Sequence, residues 1–133
     1  DSVTFRPGSG RCVVTSGSLA DPYTGTTVAF SKSDANAVQI DHLVPLHAAW
    51  ILGAWRWPPA RRLAFANDPR NLVAVDGPAN QAKSDALADR WLPENDRIHC
   101  VYAINSVAVH AAYRLGVTRS ERHALEHLLA HCP

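Results

Sequence analysis

The segment that most restricts the fold is residues 38–91, which read in the order strand, loop, strand, helix. Val38-Gln39-Ile40-Asp41-His42 alternates apolar and polar residues, as a half-buried strand does, and Pro45 breaks the pattern. Leu46 to about Trp55 reads as a helix, with Trp50 and Ala54 four apart, and Pro58-Pro59 stops it. A short helix is expected from Ala60 to Ala66, followed by a turn at Asp68-Pro69. Asn71-Leu72-Val73-Ala74-Val75 reads as a second strand and Asp76-Gly77-Pro78 as a turn. Ala79 to Trp91 then reads as a helix closed by Pro93, with Asn80 and Lys83 in its first turn. A hairpin capped by a helix can bring Asp41, His42 and Asn80 to one end of the structure.

The flanks extend this core. Cys12-Val13-Val14-Thr15 and Thr26-Thr27-Val28-Ala29-Phe30 read as strands around the turn Asp21-Pro22-Tyr23-Thr24-Gly25. Residues 100–115 form an apolar helix with Gly116 as its stop signal, and Thr118 with Glu121 makes a capping box for a last helix to about His131. No repeat or linker divides the chain. The expectation is one α+β domain over residues 1–133, with N-terminal strands, a core over about 38–91 and additional C-terminal helices.

Composition excludes several classes. Hydrophobic residues are 47% of the chain and charged residues 19%, which suits a packed domain and not a disordered one. A formal net charge of +1 argues against a general basic coat. The cations are mostly arginine, with Lys32 and Lys83 the only lysines. Arginine forks suit phosphate, although a codon bias toward Arg gives the same pattern. No stretch approaches the roughly 20 apolar residues of a membrane span. The chain starts at Asp1 without Met, so a processed or trimmed N-terminus is expected.

The cysteines are Cys12, Cys100 and Cys132, an odd count that leaves one unpaired or paired elsewhere. A bridge between Cys100 and Cys132 could staple the last two helices; three small buried apolar side chains are the alternative. The bridge is the favoured expectation, and with it an oxidising, extracellular setting.

The residue types in the core suit phosphodiester hydrolysis. That reaction needs a base to deprotonate water and a positive centre to stabilise the developing charge. A histidine, with an unperturbed pKa of about 6.5, serves the first task near neutral pH. A hard divalent ion held by one carboxylate and one amide oxygen serves the second, with positions left for water and phosphate. Lys83 and the exposed amides at the helix start would favour phosphate.

These segments carry a resemblance. Val38-Gln39-Ile40-Asp41-His42-Leu43-Val44-Pro45-Leu46 resembles the Asp-His strand of HNH (ββα-metal, His-Me finger) nucleases. Asn67-Asp68-Pro69-Arg70-Asn71-Leu72-Val73-Ala74-Val75 resembles their second strand, and Asn80-Gln81-Ala82-Lys83-Ser84-Asp85 the Asn-x-x-Lys start of their helix. More narrowly, the chain is similar to the GmrSD-type C-terminal nuclease domain of secreted bacterial HNH proteins. That version shares the Asp21–Gly25 turn, a Trp-Leu-Pro like residues 91–93 and a cysteine near each of Cys12, Cys100 and Cys132. The likeness runs from about Cys12 to Cys132.

The resemblance implies a secreted endonuclease that cuts DNA, with RNA as an alternative substrate; no segment reads as a base-reading helix, so low sequence specificity is expected. It implies His42 as general base, Asp41 and Asn80 as metal ligands, and Asn71 as a residue that orients His42 or its loop. Lys83 would contact phosphate. Independently of the resemblance, Arg56, Arg61 and Arg62 form a local basic cluster in which Arg61 and Arg62 could track a phosphate backbone, with a solvated face as the alternative. Mg²⁺ is the expected ion on ligand hardness, with Mn²⁺, Ca²⁺ and Zn²⁺ as alternatives. An acidic inhibitor or immunity protein would be a natural partner of a toxin of this kind. The resemblance leads to the expectation of a further N-terminal segment with another Cys, which residues 1–133 do not include. The chain departs from the family in having Ser84 where Gly is common, His47 where small or polar residues are usual, and no carboxylate just before Asn80.

Two rival readings remain at this level. His123-Ala124-Leu125-Glu126-His127 matches the H-x-x-E-H zinc-protease helix, but a third protein ligand is missing downstream. A catalytically inactive HNH-like fold could instead bind nucleic acid or protein without cutting.

Overall fold

The computed structural model describes all residues, Asp1–Pro133. Three strands, β1 (Ser2–Phe5), β2 (Val14–Ala20) and β3 (Thr27–Ser31), form an antiparallel sheet in the order β1-β2-β3. A separate antiparallel pair joins β4 (Val38–His42) to β5 (Leu72–Asp76), with Asp41 opposite Val73 and His42 opposite Leu72. Between them lie α1 (Leu46–Ile51), a 3₁₀ turn (Ala54–Arg56) and α2 (Pro59–Ala66). Beyond β5 come α3 (Gly77–Lys83), α4 (His99–Tyr113) and α5 (Arg119–Ala130). Two small sheets with five helices make the α+β architecture expected of an HNH-like fold.

The β4–β5 pair followed directly by α3 is the core of the fold. Asp76 caps α3, its carboxylate accepting from the Ala79 amide at 2.9 Å. The cap fixes where the helix starts and leaves the Asn80 side chain free of that task. Gly77 is required by close approach, because a Cβ there would lie 1.9 Å from the Asn36 carbonyl oxygen. The chain after His42 is held by Asn71, whose amide accepts from the Val44 amide at 2.8 Å and donates to the Val44 carbonyl at 3.1 Å.

Two apolar clusters flank this core. Tyr23, Leu43, Val75, Ala88, Tyr102, Ala103 and Leu125 pack β4 and β5 against α4 and α5. Val44, Ala49, Ala54, Phe65 and Val109 pack α1 and α2 against the other side of α4. A disulfide joins Cys100 to Cys132 and staples α4 to α5, while Cys12 is free and exposed. No helix is long and apolar enough to cross a membrane.

Several boundaries differ from the sequence reading. β1 was not anticipated, and β2 starts later and runs further than residues 12–15. The helix expected from Ala79 to Trp91 spans only Gly77–Lys83, because Ser84 turns into the left-handed region at φ 51°. That turn lets the chain leave the helix where Lys83 is drawn inward. α1 stops at Ile51, short of Trp55. α4 ends with Arg114 in the left-handed conformation at φ 50°, so the stop is not Gly116.

Candidate functional site

Asp41 and His42 stand at the end of β4, adjacent in sequence and therefore pointing to opposite faces of the pair. Asp41 turns inward and is 4% exposed. Its two oxygens accept from the Lys83 ammonium at 2.8 and 2.7 Å, and one also accepts from the Tyr23 hydroxyl. The third Lys83 hydrogen bond goes to the His42 carbonyl at 2.7 Å. Burial pushes the Lys83 ammonium below the usual lysine range, and the Asp41 carboxylate opposes that shift. Burial pushes the Tyr23 phenol far above its ordinary value, and the charge of Asp41 adds to it.

Tyr23 is a site residue that the sequence reading missed. It lies in a turn built on Asp21, which accepts from the amide and hydroxyl of Thr24, both at 2.7 Å. The other Asp21 oxygen accepts from the Asp76 amide at 2.8 Å. This clamp seats the turn against the end of β5 and puts the Tyr23 hydroxyl under Asp41. The Asp-Pro-Tyr-Thr-Gly motif was the available signal, but local turn chemistry accounts for it equally well.

His42 is held from its far side. Its Nε2 lies 2.9 Å from the carbonyl of Ala66, the last residue of α2. A carbonyl only accepts, so Nε2 carries the hydrogen and the neutral ring keeps its lone pair on Nδ1. Nothing in the protein occupies Nδ1. Asn80 donates its amide NH₂ to Gln39 Oε1 at 3.0 Å, which leaves its amide oxygen without a protein partner.

Asp41, His42 and Asn80 line one open cleft of about 300 Å³. Its rim carries His47 and Asp85, joined by a 2.7 Å hydrogen bond between exposed side chains. That bond holds the Asp85 carboxyl below its usual range.

Other expected site residues are placed differently. Lys83 is fully buried with all three donors engaged, so it has none for a phosphate; the expectation that it contacts substrate is corrected by its capture by Asp41. Asn71 is also fully buried and its side chain bonds only to Val44, so it positions the loop after His42 and cannot touch a substrate. Arg61 donates to the Tyr113 carbonyl at 2.6 Å, and Arg62 donates to the Trp57 carbonyl. Both stand outside the cleft, beside the neighbouring groove between α1 and α2. The H-x-x-E-H stripe lies exposed on α5, where Glu126 faces Arg122 at 3.5 Å and the His127 ring stacks on His131 at 4.5 Å. No three His, Cys, Asp or Glu side chains gather there or elsewhere around a common point, so the zinc-protease reading lacks its ligand set.

The donor set in the cleft suits a hard divalent cation. An ionised carboxylate offers about four acceptor positions. Lys83 and Tyr23 take three of those on Asp41, which leaves one, and Asn80, whose amide oxygen has no protein partner, lines the same cleft. Two oxygen ligands with room for water are the pattern of an ion that keeps most of its hydration shell.

Comparison with known proteins bears on this geometry. The family model for the C-terminal domain of GmrSD restriction endonucleases matches residues 1–128. A protein of Arthroderma benhamiae named "uncharacterized secreted protein" is 41% identical over 125 residues, covering 92% of this chain. The chain spans 59% of that relative's length. No solved structure matches the chain.

Proposed function

The chain belongs to the family of GmrSD restriction endonuclease C-terminal domains, and from that premise we propose that it is a metal-dependent endonuclease of the HNH type. Its substrate is DNA, with RNA as an alternative, cut at low sequence specificity. The observation that carries this reading is the orientation of His42. With Nε2–H donated to Ala66, Nδ1 is the ring nitrogen left without a protein hydrogen bond, and His42 lines the cleft together with Asp41 and Asn80.

In this proposal His42 Nδ1 takes a proton from the attacking water. The Ala66 carbonyl, at the C-terminal end of α2, then holds the Nε2–H of the imidazolium and favours its charge. Asp41 and Asn80 would hold the ion, and Mg²⁺ fits their oxygen donors. When bound, such an ion supplies charge stabilisation for the phosphorane and the leaving oxygen. Lys83 and Tyr23 fix the Asp41 carboxylate, and Asn71 fixes the loop after His42.

The Cys100–Cys132 bridge and the secreted relative support an extracellular site of action. The deciding assay is nicking of supercoiled plasmid. Cleavage in Mg²⁺ that stops with chelator and returns with excess Mg²⁺ is expected. A plasmid retarded in the gel but never cut would replace the nuclease reading with a binding module.

A further inference from the structure

Beside the cleft, α1 and α2 enclose a second groove of about 340 Å³ that the chemistry above does not use. It shares Leu46 with the cleft, and it reaches Ala66, whose carbonyl holds His42. Its walls include Trp50, Trp57, Leu63 and Arg62. Trp50 is 49% exposed and Leu63 66% exposed, so apolar surface is left open directly beside the candidate site.

We propose that this groove is a stacking subsite for an unpaired nucleobase of the substrate, next to the phosphate bound in the cleft. The inference rests on the nuclease reading for its substrate and adds a preference for single-stranded or locally melted nucleic acid.

The charge distribution selects this occupant. Residues 43–67 carry Arg56, Arg61 and Arg62 and no Asp or Glu, although the whole chain has a net charge of only +1. Each guanidinium lies over an indole: Arg56 over Trp55 at 4.6 Å, Arg61 over Trp57 at 4.6 Å and Arg62 over Trp50 at 5.5 Å. Arg61 and Arg62 each give part of their donor set to a backbone carbonyl, which leaves further N–H groups for an anion. Flat aromatic surface with cations and no countercharge matches a base with its phosphate. A neutral apolar peptide leaves the arginines unmatched. A second copy of the same face brings like charges together. A paired base hides its π-face in the duplex, so only an unpaired one can use the groove.

The test measures binding in chelator by fluorescence anisotropy, with a labelled oligothymidylate and a blunt duplex of equal length. Wild type is expected to bind the single strand more tightly. Trp50→Ala should weaken that binding about 5- to 150-fold, the range for one stacked base, and leave duplex binding unchanged. Trp50→Phe should retain most of the affinity. Leu63→Asp, an exposed change that places a carboxylate in the groove, should also lose it, and it serves if Trp50→Ala fails to fold. Equal loss on both probes, no loss in either variant, or no binding of the single strand overturns the subsite. So does a Trp50-dependent dimer in sedimentation with unchanged oligonucleotide affinity. Plasmid cleavage with Trp50-independent binding sinks the subsite alone. Trp50-dependent binding without cleavage in Mg²⁺ keeps the subsite and sinks the nuclease reading.

Discussion

Lys83 Nζ lies 2.8 and 2.7 Å from the two carboxylate oxygens of Asp41, across 42 residues of sequence, and neither side chain is more than 5% exposed. The pair ties the last residue of α3 to the strand that presents His42. It sets the position of Asp41 within the cleft and removes Lys83 from the surface.

Removing one partner of a buried pair should be costly, because the other charge stays buried. Lys83→Met is expected to lower unfolding free energy by about 3–5 kcal/mol, read from urea denaturation. Adding Asp41→Asn should recover part of that loss. A loss within the roughly 0–1 kcal/mol of an exposed pair would show that Asp41 and Lys83 are not held together away from water.

His42→Ala should reduce plasmid cleavage by about 10²- to 10⁴-fold while leaving the circular dichroism spectrum and urea midpoint near wild type. Asn80→Ala should raise the Mg²⁺ concentration needed for half-maximal cleavage. Wild-type rates in His42→Ala would remove the base from the scheme, and an unchanged Mg²⁺ requirement in Asn80→Ala would remove the ligand.

Asp68 provides a pH signature away from the cleft. It accepts from Arg70 Nη2 at 2.6 Å, the Arg70 amide at 2.9 Å and the Tyr113 hydroxyl at 2.7 Å. The Arg70 side chain, first among these, holds its carboxyl well below the usual range. Below about pH 3.9 the unfolded Asp68 takes up a proton that the folded one refuses, so unfolding becomes easier as acid is added. The stabilisation is therefore present above that pH and fades as pH falls toward the folded-state value. Urea midpoints should drop more steeply in acid for wild type than for Asp68→Asn; parallel curves would contradict this account.

Reducing the Cys100–Cys132 bridge frees a 32-residue separation between α4 and α5. The chain-entropy estimate for a loop of that size is about 3–4 kcal/mol. Dithiothreitol should lower the thermal midpoint of wild type and leave a Cys100→Ser/Cys132→Ser variant unmoved. An equal response from both would assign the effect to something other than this bridge.

Local pattern was enough for β4, β5 and the helices near the C-terminus. Val38–His42 alternates as a half-buried strand must, and Thr118 caps α5 through the Glu121 amide at 3.1 Å as the capping box predicts. The order of Asp41, His42, Asn71, Asn80 and Lys83 along the chain marked the candidate site, and Cys100 with Cys132 marked the staple. Sequence spacing did not reveal which side chains would spend their hydrogen bonds inward. Lys83 reads as a surface cation until the fold buries it on Asp41, and Tyr23 reads as a turn residue until Asp21 clamps that turn beneath β4. Arg61 and Arg62 read as a basic cluster, and only the fold shows that this cluster stands outside the cleft, against the tryptophans Trp57 and Trp50. Periodicity and capping depend on neighbours a few residues away, so the sequence carries them. Burial of a charge depends on which distant groups arrive to meet it, and only the tertiary structure decides that.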